Sequence, residues 1–310
     1  MLSDIPRRTE LPAKRCYVFT SNSSLVLVAN GKQEIVTFHG RIEINPDEVQ
    51  LWYAYDEEIA EENLLGQYYG LLSAEEREQQ QRFHLAKHRH QYMITRALVR
   101  TVLSAYIDGI VPSAWKFRKN AFNKPYIASS PLPLPLRFNL SHTEKLVVMA
   151  VTLDREVGVD VEFLLRKESG VEDIAKSCFS SIEYQDLLAL PTAQRKQRFF
   201  ELWTLKEAYI KACGRELSMP LDQFSLSFPE PGHIQMAFAC QGEGDPRYWH
   251  LWQIKAGETH IVGLAVHNAD IDKRYHLSMR KIVPLAEIAD SNWKTASESY
   301  SADSIGRDNN

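Results

Sequence analysis

Gly158-Val159-Asp160-Val161-Glu162 sets two carboxylates two residues apart in a run whose other members are glycine and valine. The run reads as a buried strand. Side chains at i and i+2 of a strand point to one face, so Asp160 and Glu162 converge while Val159 and Val161 pack behind them. Two like charges held together in a half-buried place are costly unless a cation lies between them. The stretch therefore asks for a hard divalent metal. Further along, Trp203-Thr204-Leu205-Lys206-Glu207-Ala208-Tyr209-Ile210-Lys211 reads as helix. Trp203, Glu207 and Lys211 form one stripe at i, i+4 and i+8. In isolation Glu207 and Lys211 would be an ordinary surface pair and Trp203 a core residue. Phe199, Phe200, Leu202, Leu205, Ala208, Tyr209 and Ile210 make this helix apolar on most sides, however. Such a helix lies against a sheet, and its few charges are positioned rather than free. Asp160, Glu162 and Glu207 together supply three carboxylates, a donor set that suits Mg²⁺ with waters and phosphate oxygens. No histidine or cysteine pairing competes for a softer metal.

Working outward, the rest of the chain bounds what such a site can serve. At 310 residues it is long enough for two ordinary domains or one large one. A formal charge of -4 argues against bulk nucleic-acid binding, which needs a basic excess. Cys16, Cys178, Cys213 and Cys240 are widely spaced with no C-x-x-C pair, which points to a reducing cytoplasm and no disulfide framework. The first residues hold no apolar run of signal-peptide length, and no stretch is long enough to span a bilayer, so a soluble intracellular protein is expected. Neither G-x-x-x-x-G-K-[ST] nor G-x-G-x-x-G occurs, so P-loop and Rossmann readings lack their fingerprints.

The organisation reads as α+β in two similar halves. Residues 1–46 form an extension of short strands, with Asn30-Gly31 as a hairpin signal. Residues 47–152 make the first subdomain: a strand at 48–55, then a basic helical region from Ser73 to Tyr106 opened by an S-x-x-E capping box. A proline-rich loop, Ser129 to Pro135, cannot be helix. Leu146–Leu153 and Val157–Phe163 read as an antiparallel hairpin near the middle of the chain, and the second subdomain is residues 153–283. Its key helix is expected from Ala193 to Cys213, stopped by Gly214. Residues 284–310 are polar and serine-rich and are expected to be disordered. Lys124 before Pro125 could be held toward a phosphate, and Ser141 and His142 at a strand–turn junction offer accessible donors.

Four segments, Asn123-Lys124-Pro125, Phe138-Asn139-Leu140-Ser141-His142, Gly158 to Glu162 and Phe200 to Lys211, together resemble the Sfp-type 4′-phosphopantetheinyl transferases. Phe179-Ser180-Ser181-Ile182-Glu183-Tyr184 falls between the last two in matching order, and the resemblance spans residues 47 to 267. It implies a pseudo-twofold α+β monomer with coenzyme A in the cleft between the halves and a carrier-protein serine as acceptor. By position, Asp160, Glu162 and Glu207 would hold Mg²⁺ on the pyrophosphate, and Glu207 or a water beside it would take the serine proton. Lys211, Ser141 and His142 would contact phosphates, Lys124, Pro125 and Lys119 would line the nucleotide pocket, and Arg89 would meet the 3′-phosphate. Two departures stand out. Asn123 replaces a common glycine, and Gln79, Gln80 and Gln81 stand where basic residues are usual, which turns attention to Arg77, Arg82 or Arg89. The competing reading is a catalytically silent carrier-binding homologue. The intact carboxylate trio speaks against it, since a binding module gains nothing from so costly a cluster.

Overall fold

The computed structural model describes residues 42–121, 124–128, 134–167, 170–214, 220–239, 244–268 and 270–299, with the backbone of three strands before residue 42. Two sheets lie face to face, and each carries its helices on its outer side, so the layers run helix, sheet, sheet, helix. The first half contributes β4 (Glu48–Tyr55), α1 (Glu62–Leu71), α2 (Ala74–Gln81) and α3 (Ala86–Tyr106). A small hairpin follows, β5 (Phe117–Lys119) with β6 (Pro125–Ile127), and then β7 (Leu136–Thr143) and β8 (Leu146–Leu153). The second half contributes β9 (Val157–Phe163), α4 (Val171–Cys178), α5 (Ser181–Ala189) and α6 (Thr192–Cys213). After these come β10 (Phe224–Ser227), β11 (His233–Phe238), β12 (Trp249–Ala256) and β13 (His260–His267).

Period-two alternation explains the layering. On β4, Val49, Leu51 and Tyr53 face the other sheet, while Trp52 and Ala54 face the first-half helices. On β9, Val159 and Val161 enter the core between the sheets, as expected, and Gly158, Asp160 and Glu162 take the opposite face, toward α6. Each large apolar side chain sealed in these layers contributes about 1.5–3 kcal/mol. α6 packs on β9 and β13 at two glycines. A Cβ on Gly158 would strike the Ala208 carbonyl and the Ala212 amide, and one on Gly263 would strike the Thr204 backbone. These close approaches set the height of α6 above the strand that carries the two carboxylates. Gly214, at φ 66°, then ends the helix where it was expected to stop.

Four boundaries differ from the sequence reading. Leu146–Leu153 and Val157–Phe163 are not a hairpin: β8 pairs with β4 and β7, whereas β9 pairs with β13 in the other sheet. The turn through Asp154, at φ 48°, carries the chain from one sheet to the next instead of folding it back. Both strands are covered on both sides and nearly all their residues are buried, a pattern that does not say which neighbour they pair with. The helical region from Ser73 breaks at residues 82–85, and the Ser73–Glu76 capping box starts only its first helix.

The expected second subdomain does not keep all of 153–283 to itself. β14 (His276–Val283) runs parallel to β4 in the first sheet. The tail expected to be disordered instead forms β15 (Glu287–Asp290) and β16 (Lys294–Ser299), the first beside β14 and the second between β11 and β12. Its polarity misled because few of its described residues are buried, Ile288 and Trp293 among them, and strand pairing supplies the rest of its order. Trp293 stacks on Tyr53 at 3.5 Å between ring centroids, which ties this tail to the first half. At the other end, β1 (Cys16–Phe19), β2 (Leu25–Ala29) and β3 (Lys32–Glu34) add to the same sheet through β15; Ala29 lies opposite Lys32, and Asn30 and Gly31, read as a hairpin signal, lie outside the described residues. Residues 35–41 and 300–310 lie outside the described residues.

Candidate active site

β7 and β9 are edge strands of different sheets, and they meet along the seam between the halves. Side chains bridge the seam. The Val159 amide donates to Asn139 Oδ1 at 2.9 Å, and the Ser141 hydroxyl donates to Asp160 Oδ1 at 2.9 Å. From above, α6 lowers Lys211 onto the same point. Its ammonium donates to Asp160 Oδ1 at 2.7 Å, to Ser141 Oγ at 3.1 Å and to the Val159 carbonyl at 3.3 Å. Three elements thus deliver one residue each to a closed Lys211–Ser141–Asp160 triangle. Asp160 Oδ2 is buried without a hydrogen-bond partner. Such an orphan is costly unless a further donor or cation meets it.

Glu162 is on the same face as Asp160 and accepts from Arg166 Nη1 at 2.9 Å. These residues, with Pro125, Asn139, His142 and Thr143, line a cavity of about 440 Å³. His142 is exposed to solvent on one side and closely surrounded on the others. That desolvation first, and then the charges of Lys211, Arg96 and His88, hold its imidazole below the ordinary pKa. Glu207 is half-buried one turn before Lys211, on the stripe that also carries Trp203. Among the described residues, no three histidine, cysteine or acidic side chains gather closely enough to cage a metal by themselves.

The other residues singled out in the sequence take several different positions. Lys124 is buried. Its ammonium turns inward, donating to the Lys211 carbonyl at 2.7 Å, to the Val157 carbonyl at 3.3 Å and to Glu156 at 3.4 Å. It therefore ties the end of α6 to the start of β9, where a cation also meets the negative end of the helix. Pro125 borders both the 440 Å³ cavity and a larger one of about 650 Å³ that Lys124, Tyr126, Phe138 and Glu156 help to line. Lys119 is exposed on the β5–β6 hairpin. Arg89 donates to the carbonyls of Phe83 at 2.7 Å and His84 at 3.0 Å and so closes the α2–α3 turn. Asn123 lies outside the described residues.

A family model of the 4′-phosphopantetheinyl transferase superfamily matches residues 156–265, and a 4′-phosphopantetheinyl transferase N-terminal model matches residues 60–154. The 4′-phosphopantetheinyl transferase HetI of Nostoc sp. is 32% identical over 221 residues, covering 71% of this chain and 88% of its own. The chain belongs to the 4′-phosphopantetheinyl transferase superfamily. Two Bacillus subtilis members are similar as well. One 4′-phosphopantetheinyl transferase is 37% identical over 165 residues, which is 53% of this chain and 70% of its own length. The transferase Sfp is 32% identical over 186 residues, 60% of this chain and 79% of its own. The two matched family segments meet between β8 and β9, at the seam that holds the site.

Two parts of this transferase-family site escaped the sequence reading. Asn139 stands in the Asn139-Leu140-Ser141-His142 segment, yet its job, capping the Val159 amide across the seam, depends on a strand that is remote in sequence. Arg166 is four residues past Glu162, a spacing that signals a contact only on a helix. Here a turn, closed by the Arg166 amide on the Phe163 carbonyl, brings the two together.

Proposed function

We propose that this chain transfers the 4′-phosphopantetheine arm of coenzyme A to a serine of an acyl, peptidyl or polyketide carrier protein, releasing adenosine 3′,5′-bisphosphate. The observation that carries this reading is the convergence of Lys211, Ser141 and Asp160 from α6, β7 and β9 on one cavity, in a chain of this family. The donors suit a hard cation. Asp160 offers a buried carboxylate oxygen with no hydrogen bond, and Glu162 adds a second carboxylate on the same face. Mg²⁺ commonly takes one or two carboxylates, with waters and substrate phosphates completing its shell. Asp160 and Glu162 would hold it, with Glu207 of α6 as the third carboxylate, and when bound it would neutralise charge on the pyrophosphate.

The carrier serine oxygen bonds to the β-phosphorus of coenzyme A, and the bond from that phosphorus to the anhydride oxygen breaks. Glu207 takes the serine proton. Lys211 offsets charge on the departing bisphosphate, and Ser141 and His142 bind phosphate oxygens. Pro125 and the Lys124 stem line the nucleotide pocket with Lys119 at its rim, and Arg89 takes the 3′-phosphate as an Arg fork does best. The enzyme acts as a cytoplasmic monomer. The test is mass spectrometry of apo carrier proteins incubated with the enzyme, coenzyme A and Mg²⁺. One phosphopantetheine is gained with the wild type and none with Asp160→Ala. Failure of a folded, metal-loaded enzyme to modify any of several carriers would overturn the reading.

A further inference from the structure

The two acidic residues of β9 are each met by a cation of the protein, and the two cations are held very differently. Lys211 is 18% exposed and spends its donors on Asp160, Ser141 and the Val159 carbonyl. Arg166 is 38% exposed, makes its 2.9 Å bond to Glu162 Oε2 from a turn just beyond the strand, and rests its guanidinium over the Phe200 ring at 5.0 Å. Both face the 440 Å³ cavity. A divalent ion held by Asp160 and Glu162 would compete with Arg166 for the Glu162 carboxylate. Arginine does not lose its proton in proteins, so it can yield Glu162 only by moving. Its greater exposure leaves it room to turn toward water, whereas Lys211 is the more enclosed of the two and would abandon three acceptors.

We propose that Arg166 is an internal counter-ion for Glu162 that competes with a divalent cation and swings aside when one enters. In the metal-free protein Arg166 relieves the repulsion between Asp160 and Glu162 and keeps the strand face set for binding. It thereby lowers the affinity of the site for metal. Arg166 is a positioning residue in this role. The inference rests on Asp160 and Glu162 being the metal-holding pair.

The test titrates Mn²⁺ alone, without coenzyme A or carrier, into the full chain, reading free Mn²⁺ by electron paramagnetic resonance. Arg166→Gln, and Arg166→Met, which keeps an apolar stem on Phe200, are each expected to bind Mn²⁺ about three- to tenfold tighter than the wild type, as removal of a partly exposed competing ion pair allows. Arg166→Lys, which retains the charge, should stay within about twofold of the wild type. Adding Asp160→Asn to Arg166→Gln should erase the gain. Thermal unfolding gives a second readout: metal-free Arg166→Gln melts below the wild type, and Mn²⁺ raises its midpoint by more. Equal or weaker binding by both neutral variants, a gain that survives Asp160→Asn, or no Mn²⁺ binding by any form would overturn the proposal. Carrier modification is scored separately. A protein that shows the Mn²⁺ gain but modifies no carrier would cost the transferase reading and keep this one.

Discussion

Lys206 and Lys211 lie five positions apart on α6, and each pairs with a carboxylate, yet they do opposite work. Lys206 meets Glu183 at 2.9 Å with both side chains wholly buried. Every polar end there is answered: Lys206 also donates to the carbonyls of Leu221 and Phe224, and Glu183 accepts from the amides of Ser180 and Leu226. Burial, opposed by Glu183, lowers the Lys206 pKa. Lys211 meets Asp160 at 2.7 Å, but this pair borders a cavity and leaves Asp160 Oδ2 unanswered. Ion pairing is common to both. What separates a structural pair from a reactive one is whether the surroundings satisfy it completely. The sealed pair locks α5, α6 and the approach to β10 together and so fixes the rotation of α6. The open pair uses that fixed rotation to hold charge at the seam.

The comparison can be broken most directly at the sealed pair. Glu183→Ala strands a buried ammonium, and denaturant unfolding should show a loss of about 3–5 kcal/mol. A loss under about 1 kcal/mol would mean that water reaches Lys206. The open pair should behave the other way. Asp160→Asn and Lys211→Ala should each cut carrier modification by at least about 100-fold, with unfolding free energy down by no more than about 2 kcal/mol. If either variant unfolds as easily as Glu183→Ala, the two pairs are not different in kind.

A finer contrast replaces both charges of the sealed pair with apolar side chains, Glu183→Leu with Lys206→Met. Stability should return to within about 1–2 kcal/mol of the wild type, because neither ion is left unpartnered. The smallest effect concerns His142. Lys211 is among the causes of its lowered pKa, so Lys211→Ala should move the histidine titration upward in an NMR experiment, while Lys206→Met should leave it in place. A shift caused by both lysines, or by neither, would blur the distinction between cleft and core.

Much of the site was legible because its residues lie within single elements. The shared face of Asp160 and Glu162 follows from strand geometry, and the stripe of Trp203, Glu207 and Lys211 follows from the helix repeat. The end of α6 was legible in Gly214, the only residue type that takes φ 66° without strain. The place of Lys124 before Pro125 suggests a phosphate contact, and that local cue does not show the carbonyls of Val157 and Lys211 that its ammonium meets. For β8 and β9, adjacency in sequence suggests a hairpin, while cover on both faces hides the true partners. Residues 287–299 look unstructured because nothing local compels them, and their order comes from β11, β12 and β14 already waiting beside them.

The sequence by itself determined the α+β class, the convergence of two carboxylates on one strand face and the helical stripe that answers them, since each is set by a repeat of two or 3.6 residues. Only the tertiary structure decided that Asp160 meets Lys211 and Ser141, that Glu162 meets Arg166 and that Lys206 is sealed away with Glu183. Those choices depend on which edge strands touch across the seam and how low α6 rides over Gly158 and Gly263, distances that no local spacing encodes.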